Sequence, residues 1–156
     1  MAPPSLSSIS AELLGAAVAA LGTTAPDRRF VSHNAPAWDL CKWDQLTVHL
    51  ASLQFKQSKG PRLRMTVPNP TWAIQIVRCV PQMGDDGHPP SADALSASGQ
   101  GLLDDLDAIQ QTIRADAAAI FGGCEAVTFA QAVPLGPQGG VGGYSWPISA
   151  EVTGAT

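Results

Sequence analysis

Residues 91–121 read SADALSASGQGLLDDLDAIQQTIRADAAAIF, the one stretch of the chain in which helical periodicity is sustained. Leu95, Leu102, Leu106, Ile109, Ile113 and Ile120 recur at helical spacing and stack along one face, while Asp104, Asp105, Asp107, Gln110, Gln111 and Arg114 fall mostly off that stripe. Pro89-Pro90 blocks helix upstream and offers Ser91 as N-cap, and Asp93 sits favourably in the first turn. Gly122-Gly123 supplies a left-handed stop. Gly99 and Gly101 are the weak point, since each costs about 1 kcal/mol relative to Ala in a helix interior. At 1.5 Å per residue the helix would be roughly 45 Å long, and a one-sided helix of that length cannot bury its stripe alone. It needs a sheet to lie on.

The rest of the chain offers one. Residues 28–32 are a short strand candidate, broken by Ala35-Pro36. From Leu46 to Phe55 the residues alternate: Leu46, Val48 and Leu50 point one way and Thr47, His49 and Ala51 the other, and the pattern weakens at Leu53 and Phe55. A turn-rich tip at 57–61 leads back through Arg64–Val67, an interruption at Pro68-Asn69-Pro70, and a second strand at Trp72–Val80 with Arg78 as the exception on its apolar face. After the long helix, Val127, Phe129, Gln131 and Val133 form one face of a strand. The glycine-rich connection 134–140 leads to a last strand in which Tyr144, Trp146, Ile148, Ala150 and Val152 alternate. Pro147 has no amide for a ladder, so this strand is expected at an edge or at a bulge. Near the N-terminus Ser10 is expected to cap a short amphipathic helix with the stripe Ile9, Leu13, Ala17 and Leu21, ended by Gly22. Its apolar run mimics a signal peptide, but no Lys or Arg precedes it, Glu12 interrupts it, and it falls short of a bilayer span. The expected fold is α+β: a two-layer domain with a mainly antiparallel sheet from two hairpins, covered by one long and one short helix, in a single domain over 1–156.

The composition is globular and low in charge, 14% charged with a net charge of −4, which argues neither for nor against a polyanionic partner. Lys56, Lys59, Arg62 and Arg64 crowd one short segment, and Asp85, Asp86, Asp93, Asp104, Asp105, Asp107 and Asp116 hold most of the acidic charge. These are either two solvated faces or two complementary surfaces on neighbouring copies. Cys41, Cys79 and Cys124 are widely spaced and strand-associated, which suits small buried hydrophobes in a reducing compartment. Cys41 and Cys79 could face each other across a hairpin, but nothing in the sequence forces a disulfide between them.

No residue set amounts to an active site. The loop Gly136-Pro-Gln-Gly-Gly-Val-Gly-Gly143 looks like a phosphate cradle, but no Lys follows it and it joins strand to strand, so it reads as a hairpin. A metal site drawn from His33, Asp39, Cys41 and His49 lacks the paired spacing that zinc ligands show. A Cys41–His nucleophile pair has no local motif. Among Trp38, Trp43, Trp72 and Trp146 only Trp43, beside Lys42, approaches a nucleic-acid platform; core packing and an oligomer contact account for the set. The expectation is no enzyme, no cofactor and no metal.

Three stretches then bear on function. Arg29-Phe-Val-Ser-His33 runs on to Trp43-Asp-Gln-Leu-Thr-Val-His-Leu50. Trp72-Ala-Ile-Gln-Ile-Val-Arg-Cys-Val-Pro81 follows, and Gly136-Pro-Gln-Gly-Gly140 leads the last strand. Together with Gly101-Leu-Leu-Asp-Asp-Leu-Asp-Ala-Ile109 they resemble the tail terminator proteins of long-tailed bacteriophages, especially those infecting actinobacteria, over about Leu6 to Val152. The resemblance implies a subunit that assembles as a ring, usually a hexamer, which caps the tail tube and joins it to the head connector. Its implied partners are itself, the major tail tube protein and a head–tail stopper or connector. Genomic DNA would pass through the lumen without sequence-specific binding, and no membrane is involved. The implied place is the head–tail junction of the virion, after assembly in the host cytoplasm. Lys56, Lys59, Arg62, Arg64, Asp104, Asp105, Gly139 and Gly140 are the candidate interface residues. A stopper or adaptor ring is the near alternative, and a small cytosolic α+β ligand-binding domain or enzyme, with a pocket under the long helix, the distant one.

Overall fold

The computed structural model describes residues 4–36, 44–57, 66–138 and 140–152. The chain runs α1 (Leu6–Leu21), a 3-10 turn (Gly22–Thr24), β1 (Arg28–Ser32), β2 (Gln45–Gln57), β3 (Thr66–Cys79), α2 (Ala92–Ala115), α3 (Ala117–Ile120), β4 (Cys124–Phe129), β5 (Val133–Gln138) and β6 (Val141–Val152). The sheet order is β1-β2-β3-β6-β4, with β5 also paired to β6. The fold is α+β with helices on one face of a six-stranded sheet. The sheet is mixed, because β1 joins β2 in parallel. The second hairpin also differs from expectation: its first strand is two strands, β4 and β5, laid end to end along β6.

That split explains Pro147. The strand β6 lies inside the sheet, between β3 and the β4/β5 edge, contrary to the edge or bulge expected of it. The Ala130 amide donates to the Pro147 carbonyl at 3.0 Å. In an extended strand a residue's N and O point to the same side, so the missing amide of Pro147 faces the gap between β4 and β5. Trp146 fills that gap from its own side: its indole N–H donates to the Ala130 carbonyl at 2.9 Å, and its ring stacks on Phe129 at 5.5 Å. The prolines of β3 are accommodated by the same logic. The strand runs unbroken through Pro68 and Pro70, which lie beyond its last pair with β6, Thr71↔Ser149, and there pair with β2 alone.

On the helix side, Leu46, Val48, Trp72, Ile74, Ile76, Trp146 and Ile148 meet Ile9, Leu13 and Ala17 of α1 and Ile109 and Ile113 of α2 in one core. The α1 stripe is the expected one, but its cap is not. Ser5, not Ser10, is the N-cap and accepts from the Ser8 amide at 3.0 Å. Ser10 lies inside the helix, where its hydroxyl donates to the Leu6 carbonyl at 2.8 Å and accepts from the Trp72 indole at 3.0 Å. This helix is long and apolar enough to cross a bilayer by length and composition, yet its apolar stripe is fully buried against the sheet. The long helix starts where expected, with Ser91 accepting from the Ala94 amide at 3.1 Å, but it stops at Ala115 and a turn at Asp116 separates it from α3. Leu95 departs from the expected stripe and is 51% exposed. The buried residues of α2 are Leu102, Ile109 and Ile113, so the first turns overhang the sheet instead of lying on it.

Candidate functional site

The ends of β3 carry the two features that stand out. At one end β2 and β3 pair with each other beyond their pairing with the flanking strands: β1 stops opposite His49, and the β3–β6 pairing ends at Thr71↔Ser149, although β6 itself runs on to Val152 beside β4. Beyond them, 52–57 and 66–71 pair with each other as a two-stranded arm. A bulge at Ala51, between the pairs Leu50↔Trp72 and Ser52↔Thr71, advances the register by one residue. It moves Leu53 and Phe55 onto the face of Leu46, Val48 and Leu50, opposite Pro70 and Pro68. The weakening of alternation at these residues is this bulge. Leu53 is 40% and Phe55 61% exposed. A two-stranded ribbon is marginal in water on its own, and exposed apolar side chains grouped on it mark a contact surface. Lys56 pairs with Val67 in the arm, whereas Lys59, Arg62 and Arg64 lie outside the described residues.

At the other end of β3 a groove of about 300 Å³ opens between the overhanging turns of α2, Val80-Pro81, and the β5–β6 hairpin. Its walls include Leu95, Leu102, Val80, Leu135, Pro137 and Tyr144. The glycine loop builds one wall, joining strand to strand as expected, without the helix N-terminus that a phosphate cradle needs. Gly136–Pro137 is a cis peptide, and Gly140, at φ +76°, turns the hairpin and accepts the Val80 amide at 2.9 Å. Gly139 lies outside the described residues.

Beside the groove, Arg78 ties four parts of the chain together. Its Nε donates to Asp105 of α2 at 2.9 Å, one Nη to Asp44 at 3.1 Å, and the other to the Thr24 carbonyl at 2.7 Å. Asp44 also accepts the Cys79 amide at 2.9 Å. Burial opposes the charge on Arg78, but the hydrogen bonds and negative charges of Asp105 and Asp44 outweigh it and hold the guanidinium above its ordinary value. Asp105 is therefore engaged inside the chain, while Asp104 is exposed and accepts from Gln100 at 3.0 Å. Cys79 is exposed and disulfide-bonded, against the expected buried free thiol; Cys41 lies outside the described residues. Cys124 is free and half-buried, and burial pushes its thiol up, away from the thiolate that nucleophilic or metal chemistry requires.

The sheet face away from the helices is polar and nonetheless buried. Gln45, Thr47, His49 and Gln75 are buried, and Gln45 Nε2, Thr47 Oγ1, His49 Nδ1 and Gln75 Oε1 have no hydrogen-bond partner among the described residues. Burial lowers the His49 pKa. His49 lies opposite Leu46 and Val48 as the alternation predicts, and His33 is exposed after β1. Among the described residues no three His, Cys, Asp or Glu side chains gather to hold a metal; Asp39 and Cys41 lie outside them, as do Trp38 and Trp43. Sequence reasoning offered a pocket under the long helix only as part of the ligand-binding alternative, and it missed the buried polar face. The one written signal of that face was the run of polar residues alternating with Leu46 and Val48.

No protein-family model matches the chain, and no curated protein matches it. Among solved structures, a chain from the virion of a native gene transfer agent particle is similar over 96% of this chain and 95% of that one, at 13% identity and a TM-score of 0.42. A likeness of that degree carries no functional argument.

Proposed function

We propose that this chain is a structural subunit of a phage-type virion, and more finely a tail terminator: a ring that caps the tail tube at the head–tail junction and joins it to the head connector. The observation that carries the reading is the β2–β3 arm, which continues as a pair beyond its pairing with β1 and β6 and exposes Leu53 and Phe55. A monomer has no use for an apolar strip on a marginal ribbon, whereas a subunit that hooks onto its neighbour does. The sequence phrases that resemble terminators supply the finer identity and the partners: further copies of itself, the tube protein and the connector, with DNA passing through the lumen. The disulfide at Cys79 suits a protein that ends its life in a particle outside the cell, although the residue pattern alone favours a reducing compartment. The groove favours the ligand-binding alternative least, because among the described residues its lining includes no charged side chain to orient a small molecule.

Localisation tests the terminator reading. Antibody or gold label against this chain in images of intact particles is expected as a single spot between head and tail, and on the upper end of headless tails. Label on headless tails separates a terminator from a stopper, which stays with the head. Label along the tail tube or on the capsid, or none in the particle, would overturn the proposal.

A further inference from the structure

We infer that the β2–β3 arm of one copy seats in the groove between α2 and the β5–β6 hairpin of the next, making the contact that builds the ring. The inference rests on the ring reading above and names its interface. Geometry excludes the contact within one chain. The arm's apolar strip lies at Pro68 and Pro70 of β3 and the groove begins at Val80, so they sit about 33–40 Å apart at ~3.3 Å per residue. The arm also points away from the groove. An arm and a groove at opposite ends of one strand meet only between copies, head to tail, and a head-to-tail contact that closes is a ring.

The two surfaces match in chemistry. Leu53 and Phe55 are exposed apolar side chains in search of cover, and Leu95, also exposed, overhangs an apolar groove. Their charges are opposite. Between Asp44 and Asp85 the chain has no acidic residue, while Lys56 belongs to β2 of the arm and Lys59, Arg62 and Arg64 follow it in sequence. Between Arg78 and Arg114 it has no Lys or Arg, and Asp85, Asp86, Asp93, Asp104, Asp105 and Asp107 all fall there. The loop that carries Asp85 and Asp86 is exposed beside the groove at Pro81, and Asp93 is exposed in the first turn of α2. Apolar contact at the centre with opposite charges around it gives both adhesion and register.

The test uses two full-length variants. One carries Leu53→Asp with Phe55→Asp on the arm, and the other Leu95→Arg with Ser98→Arg on the groove. Each leaves one surface intact. Light scattering is expected to show a ring for the parent and a single 16.1 kDa subunit for each variant. An equal mixture of the two should form a dimer of twice that mass, because one good arm then meets one good groove and the chain ends there. An arm variant that assembles like the parent overturns the inference and leaves the ring reading standing, as does a mixture that stays monomeric. A parent that is itself monomeric at every concentration overturns both. Disulfide trapping covers the case of a variant that misfolds. Phe55→Cys with Leu95→Cys should give a covalent ladder on oxidation that neither single substitution gives, and its absence counts against the contact.

Discussion

Gly143 faces Val77 in the middle of the sheet, and a Cβ there would overlap the Ile76 carbonyl oxygen. Gly101, on α2, would meet nothing. The two glycines therefore respond to alanine with opposite signs. Gly143→Ala is expected to cost about 2 kcal/mol or more, because backbone must shift to admit the methyl. Gly101→Ala should stabilise by about 0.5–1 kcal/mol, since it removes a helix-interior glycine and restricts the unfolded chain. Urea titration reads both, and matching signs would contradict the assigned close approach. Arg78 is the other residue on which much converges. Arg78→Met keeps the stem but leaves Asp105, which is 13% exposed, with an uncompensated charge. Its loss is expected at about 1.5–3 kcal/mol, the range for hydrogen bonds to charged groups. Asp105→Asn should cost less, and the double substitution should cost less than the sum of the singles.

At the scale of elements, the buried polar face of β2 and β3 makes stability depend on pH. Burial lowers the pKa of His49 from 6.5, so the folded protein binds this proton less readily than the unfolded chain. Nothing is lost above the unfolded value, where both states are neutral. As pH falls through 6.5 the unfolded state takes up the proton first and the fold loses stability, progressively down to the folded pKa. The urea midpoint is expected to drop between pH 7.5 and 5.5, and His49→Gln should flatten that drop. An unchanged slope in the variant would assign the effect elsewhere. The elements also show what the sequence can and cannot carry. Ser91 was legible as a cap because two prolines leave the helix no earlier start, and the α1 stripe was legible from spacing. Ser10 misled because a serine inside a helix resembles a cap until its partner, Trp72 from a distant strand, is known. Pro147 misled for the same reason: a proline predicts a missing ladder bond, and only the pairing shows that β4 and β5 leave a gap at that point. The burial of Gln45, Thr47 and Gln75 depends on what covers them, which no local pattern encodes.

At the scale of the molecule, the layout is directional. One end of β3 projects an arm with exposed apolar side chains and basic neighbours in sequence, and the other opens a groove beside an acidic segment. Exposed ion pairs are worth only about 0–1 kcal/mol each, so no single charge holds such an assembly together. Reversing Lys56, Lys59, Arg62 and Arg64 together to Glu should leave the subunit folded and abolish assembly, read as an unchanged melting curve with a lower particle mass. An unchanged mass would make the cluster a solvated surface. The charge clusters were legible in the sequence, because like charges separated along a chain are visible without a fold. The placement of the exposed arm and the groove at opposite ends of one strand was not, since it follows from where the pairing of β2 with β1 and of β3 with β6 ends. The central claim is that this directionality closes into a ring, and native mass spectrometry of the full chain across a concentration series tests it most directly. The account predicts one closed species at a fixed multiple of 16.1 kDa, the same multiple at every concentration above its formation. A single subunit or a twofold dimer throughout, or an open-ended ladder that lengthens with concentration, would contradict it.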